Sequence, residues 1–71
     1  MLIHTMLFGE QLLKQRKKLH LSAEELAERV SISRSYITLM ENGKRLPSKK
    51  MIPALAEALK IKTNVVINWY L

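Results

Sequence analysis

The chain has no cysteine and no aspartate, and only two glycines and two prolines in 71 residues. Without cysteine, neither a disulfide nor a thiolate zinc site can staple the fold, which suits a reducing compartment. A chain of this length buries only about 60% of the surface its unfolded form exposes, so stability rests on efficient packing or on a partner. No stretch alternates apolar and polar residues over a strand's length. Helical periodicity dominates and predicts an all-α fold. There is no internal repeat, low-complexity tract or linker, so residues 1–71 are read as one domain, with a core over about 8–67 and an N-terminal extension over 1–7.

Other absences narrow the function. There is no paired-carboxylate site and no Gly-rich phosphate loop, and His4 and His20 stand alone in the chain. No enzymatic activity, metal site or cofactor is expected. No apolar run approaches the roughly 20 residues that span a bilayer. Met1 to Phe8 is apolar but short and lacks a basic flank and a small-residue cleavage site, so it does not read as a signal peptide. A cytoplasmic protein with no membrane partner is expected.

Positive charge, in contrast, is in surplus. Twelve Lys and Arg face six acids, for a net charge of +6 and a pI near 10.0. No acid lies between Glu41 and Glu57, yet Lys44, Arg45, Lys49 and Lys50 do. Such a distribution favours a polyanionic partner.

Five helices follow from the pattern. Helix 1 is predicted over Phe8 to Lys18, with Phe8, Leu12 and Leu19 on one stripe and Leu13 at its edge. Arg16 falls inside that stripe and wants a partner, because an unpaired buried ion costs several kcal/mol. Helix 2 starts at a capping box, Ser22-Ala-Glu-Glu25, flanked by the staple pair Leu21 and Leu26. Its inward face is Leu26, Ala27 and Val30. The turn Val30-Ser31-Ile32 leads to Ser33, a natural N-cap for a third helix over Arg34 to Asn42.

At about 100° per residue, Thr38 lies about 40°, Asn42 about 80°, Ser35 about 100° and Leu39 about 140° from Arg34. Tyr36, Ile37, Met40 and, at the margin, Glu41 occupy the other side. Arg16 and Glu41 thus both sit at the edge of inward faces, and an ion pair joining helices 1 and 3 is expected. Gly43 suits the residue after the helix, where φ turns positive. Lys44 to Ser48 is a basic loop, and Ser48 is a possible cap for helix 4, over about Lys49 to Leu59. Pro53 is awkward there, since it removes a backbone donor. Either the helix starts later or its first turn is distorted.

Thr63 to Leu71 forms a last helix with an apolar arc of about 240°, more than one core covers. Either a second copy meets Val65, Val66, Trp69 and Tyr70, or a further domain follows residue 71.

The stretch SAEELAERVSISRSYITLMENGKRLPS resembles the Cro/CI-type helix-turn-helix of lambda-repressor-like DNA-binding domains, the XRE family. The likeness runs from about Phe8 to Ile67 and is most specific in ELAERVSISRSYI and ENGKRLPS. It implies a compact five-helix lambda-repressor-like bundle with the helix-turn-helix at helices 2 and 3, and helix 3 in the major groove of double-stranded DNA. By position, Arg34, Ser35, Thr38 and Leu39 would read bases, and Ser22, Ser33, Asn42, Lys44 and Arg45 would meet phosphates. The Arg16–Glu41 pair matches a recurrent feature of the family. Three positions depart from it. Ala23 stands where Gln is frequent, and Ser31 and His20 stand where Gly is frequent, so Ser31 is expected to carry a left-handed backbone at a cost on the order of 1 kcal/mol.

The function implied is a prokaryotic or phage-like transcriptional regulator, in the repressor sense, bound as a homodimer to a near-palindromic operator on the nucleoid. The competing reading uses the same fold as a protein-docking module, with Leu39 and Tyr36 as its support.

Overall fold

The computed structural model describes residues 3–70, with side chains from residue 7 onward. Five helices follow in order: α1 Ile3–Lys18, α2 Ala23–Val30, α3 Arg34–Glu41, α4 Met51–Ala58 and α5 Thr63–Tyr70. No strand occurs among the described residues. Helix α1 packs on α3 and α5, α2 on α3 and α4, and α4 on α5. Phe8, Leu12, Leu26, Ile37, Met40, Leu55, Leu59 and Val66 are fully buried where these helices meet.

Helix α1 begins at Ile3 rather than at Phe8, so the expected N-terminal extension is helical from residue 3. Nothing in His4 to Leu7 breaks a helix, and each added residue gains a backbone bond once the helix is nucleated. Gly9 lies within it and is buried. A Cβ at that position would stand 2.5 Å from the Met40 carbonyl oxygen and 2.6 Å from that of Glu41. The glycine therefore lets α1 lie directly on the C-terminal turn of α3.

Helix α2 starts as its sequence dictates. The Ser22 hydroxyl accepts the Glu25 backbone N–H at 3.0 Å, and the Ser22 N–H donates to the Glu25 carboxylate at 2.8 Å. Helix α4 differs from expectation. It starts at Met51, with Lys50 at the cap position and no side-chain cap, so Ser48 does not cap it. The later start resolves Pro53. As the third helical residue it sits among the first-turn positions whose N–H groups have no intrahelical acceptor, and its missing donor costs little.

The helix ends share one device. The N–H of Leu21 bonds the Arg16 carbonyl at 3.1 Å, that of Ile32 the Ala27 carbonyl at 3.0 Å, that of Lys44 the Leu39 carbonyl at 2.9 Å, and that of Ile61 the Ala56 carbonyl at 3.0 Å. Each closes a Schellman turn around a residue with positive φ: His20 (58°), Ser31 (62°), Gly43 (76°) and Lys60 (59°). Ser31 is left-handed, as expected at that turn. Lys60 was not anticipated, because a lysine carries no signal of a left-handed position. Leu21 is buried, and Ile32 and Ile61 pack partly buried on the core, so an apolar anchor follows each of the three non-glycine turns.

Candidate nucleic-acid interface

Helix α3 is amphipathic. Ile37 and Met40 enter the core, and the opposite face is open. Arg34, Ser35, Thr38 and Leu39 are all exposed and together line a shallow depression of about 430 Å³. The face offers a guanidinium, two hydroxyls and a branched apolar tip. Leu39 is 36% exposed despite its apolar side chain. Ser33 caps the helix, its hydroxyl oxygen accepting the Tyr36 N–H at 3.1 Å.

Two further groups flank this face in sequence. Ser22 stands at the N-terminus of α2, where first-turn N–H groups lack intrahelical acceptors. The Ser22 backbone N–H, and secondarily its hydroxyl, hold the Glu25 carboxyl below the usual glutamate range. Beyond α3, Asn42, Lys44 and Arg45 are exposed.

The basic loop is held from two sides. The Tyr36 hydroxyl, from α3, donates to the Leu46 carbonyl at 3.3 Å, and the Tyr70 hydroxyl, from α5, donates to the Pro47 carbonyl at 2.6 Å. Pro47 is buried, and the Arg45 guanidinium lies 5.3 Å from the centre of the Tyr36 ring. Burial, and then the nearby Tyr36, raise the Tyr70 pKa, so Tyr70 keeps its donating proton. These tyrosines set where Lys44 and Arg45 stand relative to α3, a role the sequence reading missed. The available signal was an aromatic ring on an inward face whose polar tip needs a partner. The same contacts take Tyr36 away from the docking-module reading, since its hydroxyl and ring are engaged within the chain.

The orientation of α3 is fixed at its far end by Arg16 and Glu41. The Arg16 Nε donates to Glu41 Oε2 at 2.6 Å and its Nη2 to Oε1 at 3.0 Å. Its Nη1 donates to the Leu21 carbonyl at 2.8 Å. One guanidinium thus joins α1, the α1–α2 turn and the last residue of α3. The side chains are 13% and 9% exposed. The hydrogen bond to Glu41 outweighs partial desolvation and raises the Arg16 pKa. Among the described residues this is the one ion pair, and no buried side-chain polar atom lacks a partner.

The residues expected to meet a second copy divide. Val66 is fully buried inside its own chain and faces no partner. Trp69 and Tyr70 are half-buried, with ring centres 5.8 and 5.2 Å from that of Phe8 in edge-to-face contacts. Much of the apolar arc of α5 is thus used within the chain, because α1 reaches across it. Val65 (36%) and Ile67 (44%) remain exposed, and Ile67 had not been selected.

A family model described as helix-turn-helix matches residues 12–66. The chain belongs to the helix-turn-helix family, of the Cro/CI (XRE) type. The helix-turn-helix repressor RghR of Bacillus subtilis is 46% identical over 55 residues, covering 76% of this chain and 41% of its own. An uncharacterized HTH-type transcriptional regulator of Mycobacterium tuberculosis is 34% identical over 58 residues, covering 82% of this chain and 41% of its own. This helix-turn-helix chain thus spans about two fifths of the length of both relatives. Among solved structures, the restriction-modification controller protein C.AhdI of Aeromonas hydrophila superposes with a TM-score of 0.82 at 35% identity, over 87% of this chain and 94% of that one. In the helix-turn-helix frame, α2 and α3 are the two motif helices and Ser31 lies in the turn between them.

Proposed function

We propose that this chain is a sequence-specific double-stranded DNA-binding transcriptional regulator acting in the repressor sense. Its α3 enters the major groove, and two copies occupy a near-palindromic operator with half-sites about one helical turn, roughly 34 Å, apart. The observation that carries this reading is the open face of α3. Arg34, Ser35, Thr38 and Leu39 share one exposed depression, while the inward residues of that helix are committed to the core, to the pinned loop or, for Glu41, to Arg16. Arg34 would donate two hydrogen bonds to guanine O6 and N7, and Leu39 would touch a thymine methyl. Ser22, Ser33, Asn42, Lys44 and Arg45 would hold phosphates and set the register. Kinship with proteins named as regulators supports the same reading. A binding module of this kind needs no cofactor and works in the cytoplasm, on the nucleoid. Among the described residues no helix is long and apolar enough to cross a membrane.

Selection from random duplexes, followed by titration at two salt concentrations, tests the proposal. If each subunit neutralises about four phosphates, log K falls against log salt with a slope of roughly −7 per dimer. Arg34→Ala should relax the selected sequence, and Lys44→Ala should weaken binding to all duplexes alike and flatten the slope per dimer by about 2, one phosphate contact being lost from each subunit. A salt-independent affinity, or an Arg34→Ala variant that selects the same sites, defeats it.

A further inference from the structure

Cations also gather on the side of the molecule turned away from α3. Lys14 and Lys18 lie one helical turn apart on α1, and both are exposed. Gly9 marks the side of α1 that rests on α3. At 3.6 residues per turn, Lys18 falls about 180° and Lys14 about 140° from it. At this end of α1 the Gln15 side-chain amide donates to the Leu59 carbonyl at 3.0 Å, which brings the turn from α4 into α5 alongside. That turn carries Lys60 and Lys62, both exposed. The Val65 N–H bonds the Lys62 carbonyl at 3.0 Å, so Lys62 is in register with the first turn of α5. About two turns on, and so on the same side of α5, stands Trp69, whose ring meets that of Phe8 on α1. Tyr70 turns the other way, to the basic loop. Lys14, Lys18 and Lys62 therefore flank one seam between α1 and α5, with Lys60 at its edge. None of the four takes part in an ion pair among the described residues, and the nearest acids in sequence, Glu10 and Glu57, leave them unpaired.

We propose that this seam is a second, sequence-independent binding surface for the phosphate backbone of double-stranded DNA, so that one chain holds two duplex segments, one on α3 and one on the α1–α5 seam. Lysines are compact point charges on flexible stems, which suits phosphates rather than base edges. The one arginine of α1, Arg16, is committed to Glu41 and supplies no planar fork here. Other polyanions fit the seam less well. A single strand is held by aromatic rings on which its bases stack, and Trp69, the aromatic beside these lysines, is half-buried with its ring against Phe8. A lipid surface takes a continuous apolar face ringed by cations. The seam's exposed apolar side chains are two, Leu7 and Val65, and they are only 42% and 36% exposed. What the seam does offer is unpaired positive charge, the requirement for counterion release from a duplex.

The proposal rests on the regulator reading only for the duplex held by α3, and its first measurement needs no operator. A chain carrying Arg34→Ala, Lys44→Ala and Arg45→Ala is titrated with a labelled random duplex, and binding is followed by fluorescence anisotropy. Adding Lys14→Gln, Lys18→Gln and Lys62→Gln should weaken that binding about tenfold or more and flatten its salt slope by about 3, one phosphate contact being lost per lysine. Arginine at the same three positions keeps the charge and should keep the binding. All three positions are exposed, and circular dichroism of each variant should match the wild type. The second measurement uses the chain with α3 intact, loaded on an immobilised operator duplex. It should retain a labelled random duplex from solution. The glutamine variant should bind the operator as the wild type does, because the seam and α3 lie on opposite sides of α1 in a body of 30 × 23 × 23 Å, beyond the screening length of about 10 Å at 0.1 M salt. It should retain about tenfold less of the second duplex. The proposal is overturned if the glutamine variant retains as much second duplex as the wild type, which would put both duplexes on the α3 faces of two copies. It is overturned too if the α3-disabled chain binds alike with and without the three lysines, or if vesicles rich in anionic lipid or single-stranded RNA bind through these lysines while duplexes do not. Failure to select any operator, with lysine-dependent duplex binding intact, removes the regulator reading and leaves the seam standing.

Discussion

Gly9→Ala sets two physical effects against each other, and their magnitudes decide the sign. Alanine is the better helix former, and in a helix interior the exchange is worth about 1 kcal/mol in favour of the variant. The added Cβ, however, would lie 2.5 Å from the Met40 carbonyl oxygen, 2.6 Å from that of Glu41 and 2.9 Å from the Glu41 carbonyl carbon, where ordinary contact is 3.4–4 Å. All three are backbone atoms of one helical turn, so no side chain can rotate to make room. Helices α1 and α3 must part, and overpacking of this kind costs about 1–3 kcal/mol, occasionally more. The packing effect outweighs the propensity gain. With three backbone contacts under 3 Å the cost falls in the upper part of that range, about 2–3 kcal/mol, so we expect a net loss of about 1–2 kcal/mol, a fall in Tm of about 4–16 °C for a domain of this size. Thermal and urea unfolding followed by circular dichroism measure it. A cooperative variant with an unchanged or raised Tm would refute the claim that backbone contact at Gly9 sets the α1–α3 spacing.

Three other perturbations follow from the same geometry. His20→Gly, Ser31→Gly and Lys60→Gly should each stabilise by about 0.5–1 kcal/mol, because the left-handed backbone costs an L-residue more than the glycine's added unfolded-state freedom; thermal unfolding that shows all three neutral or destabilised contradicts this. Glu41→Ala should cost about 3 kcal/mol, the low end for breaking a buried pair because both side chains keep some solvent contact, and a double-mutant cycle with Arg16→Ala should show strong coupling, additivity being the outcome that denies it. Glu25 has a folded-state pKa below the ordinary 4.5, so its capping contribution is present above that value and fades as pH falls through the folded value. The Tm gap between wild type and Glu25→Ala should accordingly narrow on going from neutral pH to pH about 3, and a pH-independent gap counts against it.

Most of the helix-turn-helix was legible because its signals are local. Ser22 and Glu25 name the start of α2, and Ser33 that of α3. The period of Tyr36, Ile37 and Met40 fixes which face of α3 turns inward, and therefore which residues are left outside. The Arg16–Glu41 contact was legible at longer range only because two charges at the margins of inward faces have few ways to be satisfied. Other features were hidden for equally physical reasons. The role of Gly9 had no local signal, since close approach of α3 depends on where a distant segment lands. Lys60 is left-handed because the chain must turn from α4 into α5 there, not because of its own side chain. The start of α4 was left open, because Ser48 offers a cap in the abstract while Pro53 argues for a later start, the alternative the structure takes. The backbone turn through residues 48–50 delays the helix until Pro53 falls on a donor-free position. The burial of Val66 required knowing that α1 reaches back over α5.

The features hidden from the sequence, together with the ion pair it did show, converge on one outcome, the placement of α3. Backbone contact at Gly9 sets how near α1 lies to its C-terminal turn, and the Arg16 fork sets how that turn is rotated. Tyr36 joins the helix to the basic loop, and Tyr70 joins the same loop to α5. None of these groups needs to touch a ligand, yet each would shift Arg34, Ser35 and Thr38 relative to Lys44 and Arg45 if it were lost. A rigid surface spends less ordering entropy on binding than a mobile one, and sequence reading at base edges demands fixed positions, because hydrogen bonds weaken steeply once distance and angle depart from their narrow range. Substitutions in this supporting shell should therefore reduce discrimination among duplexes before they reduce overall affinity, since phosphate attraction tolerates displacements that base-edge contacts do not.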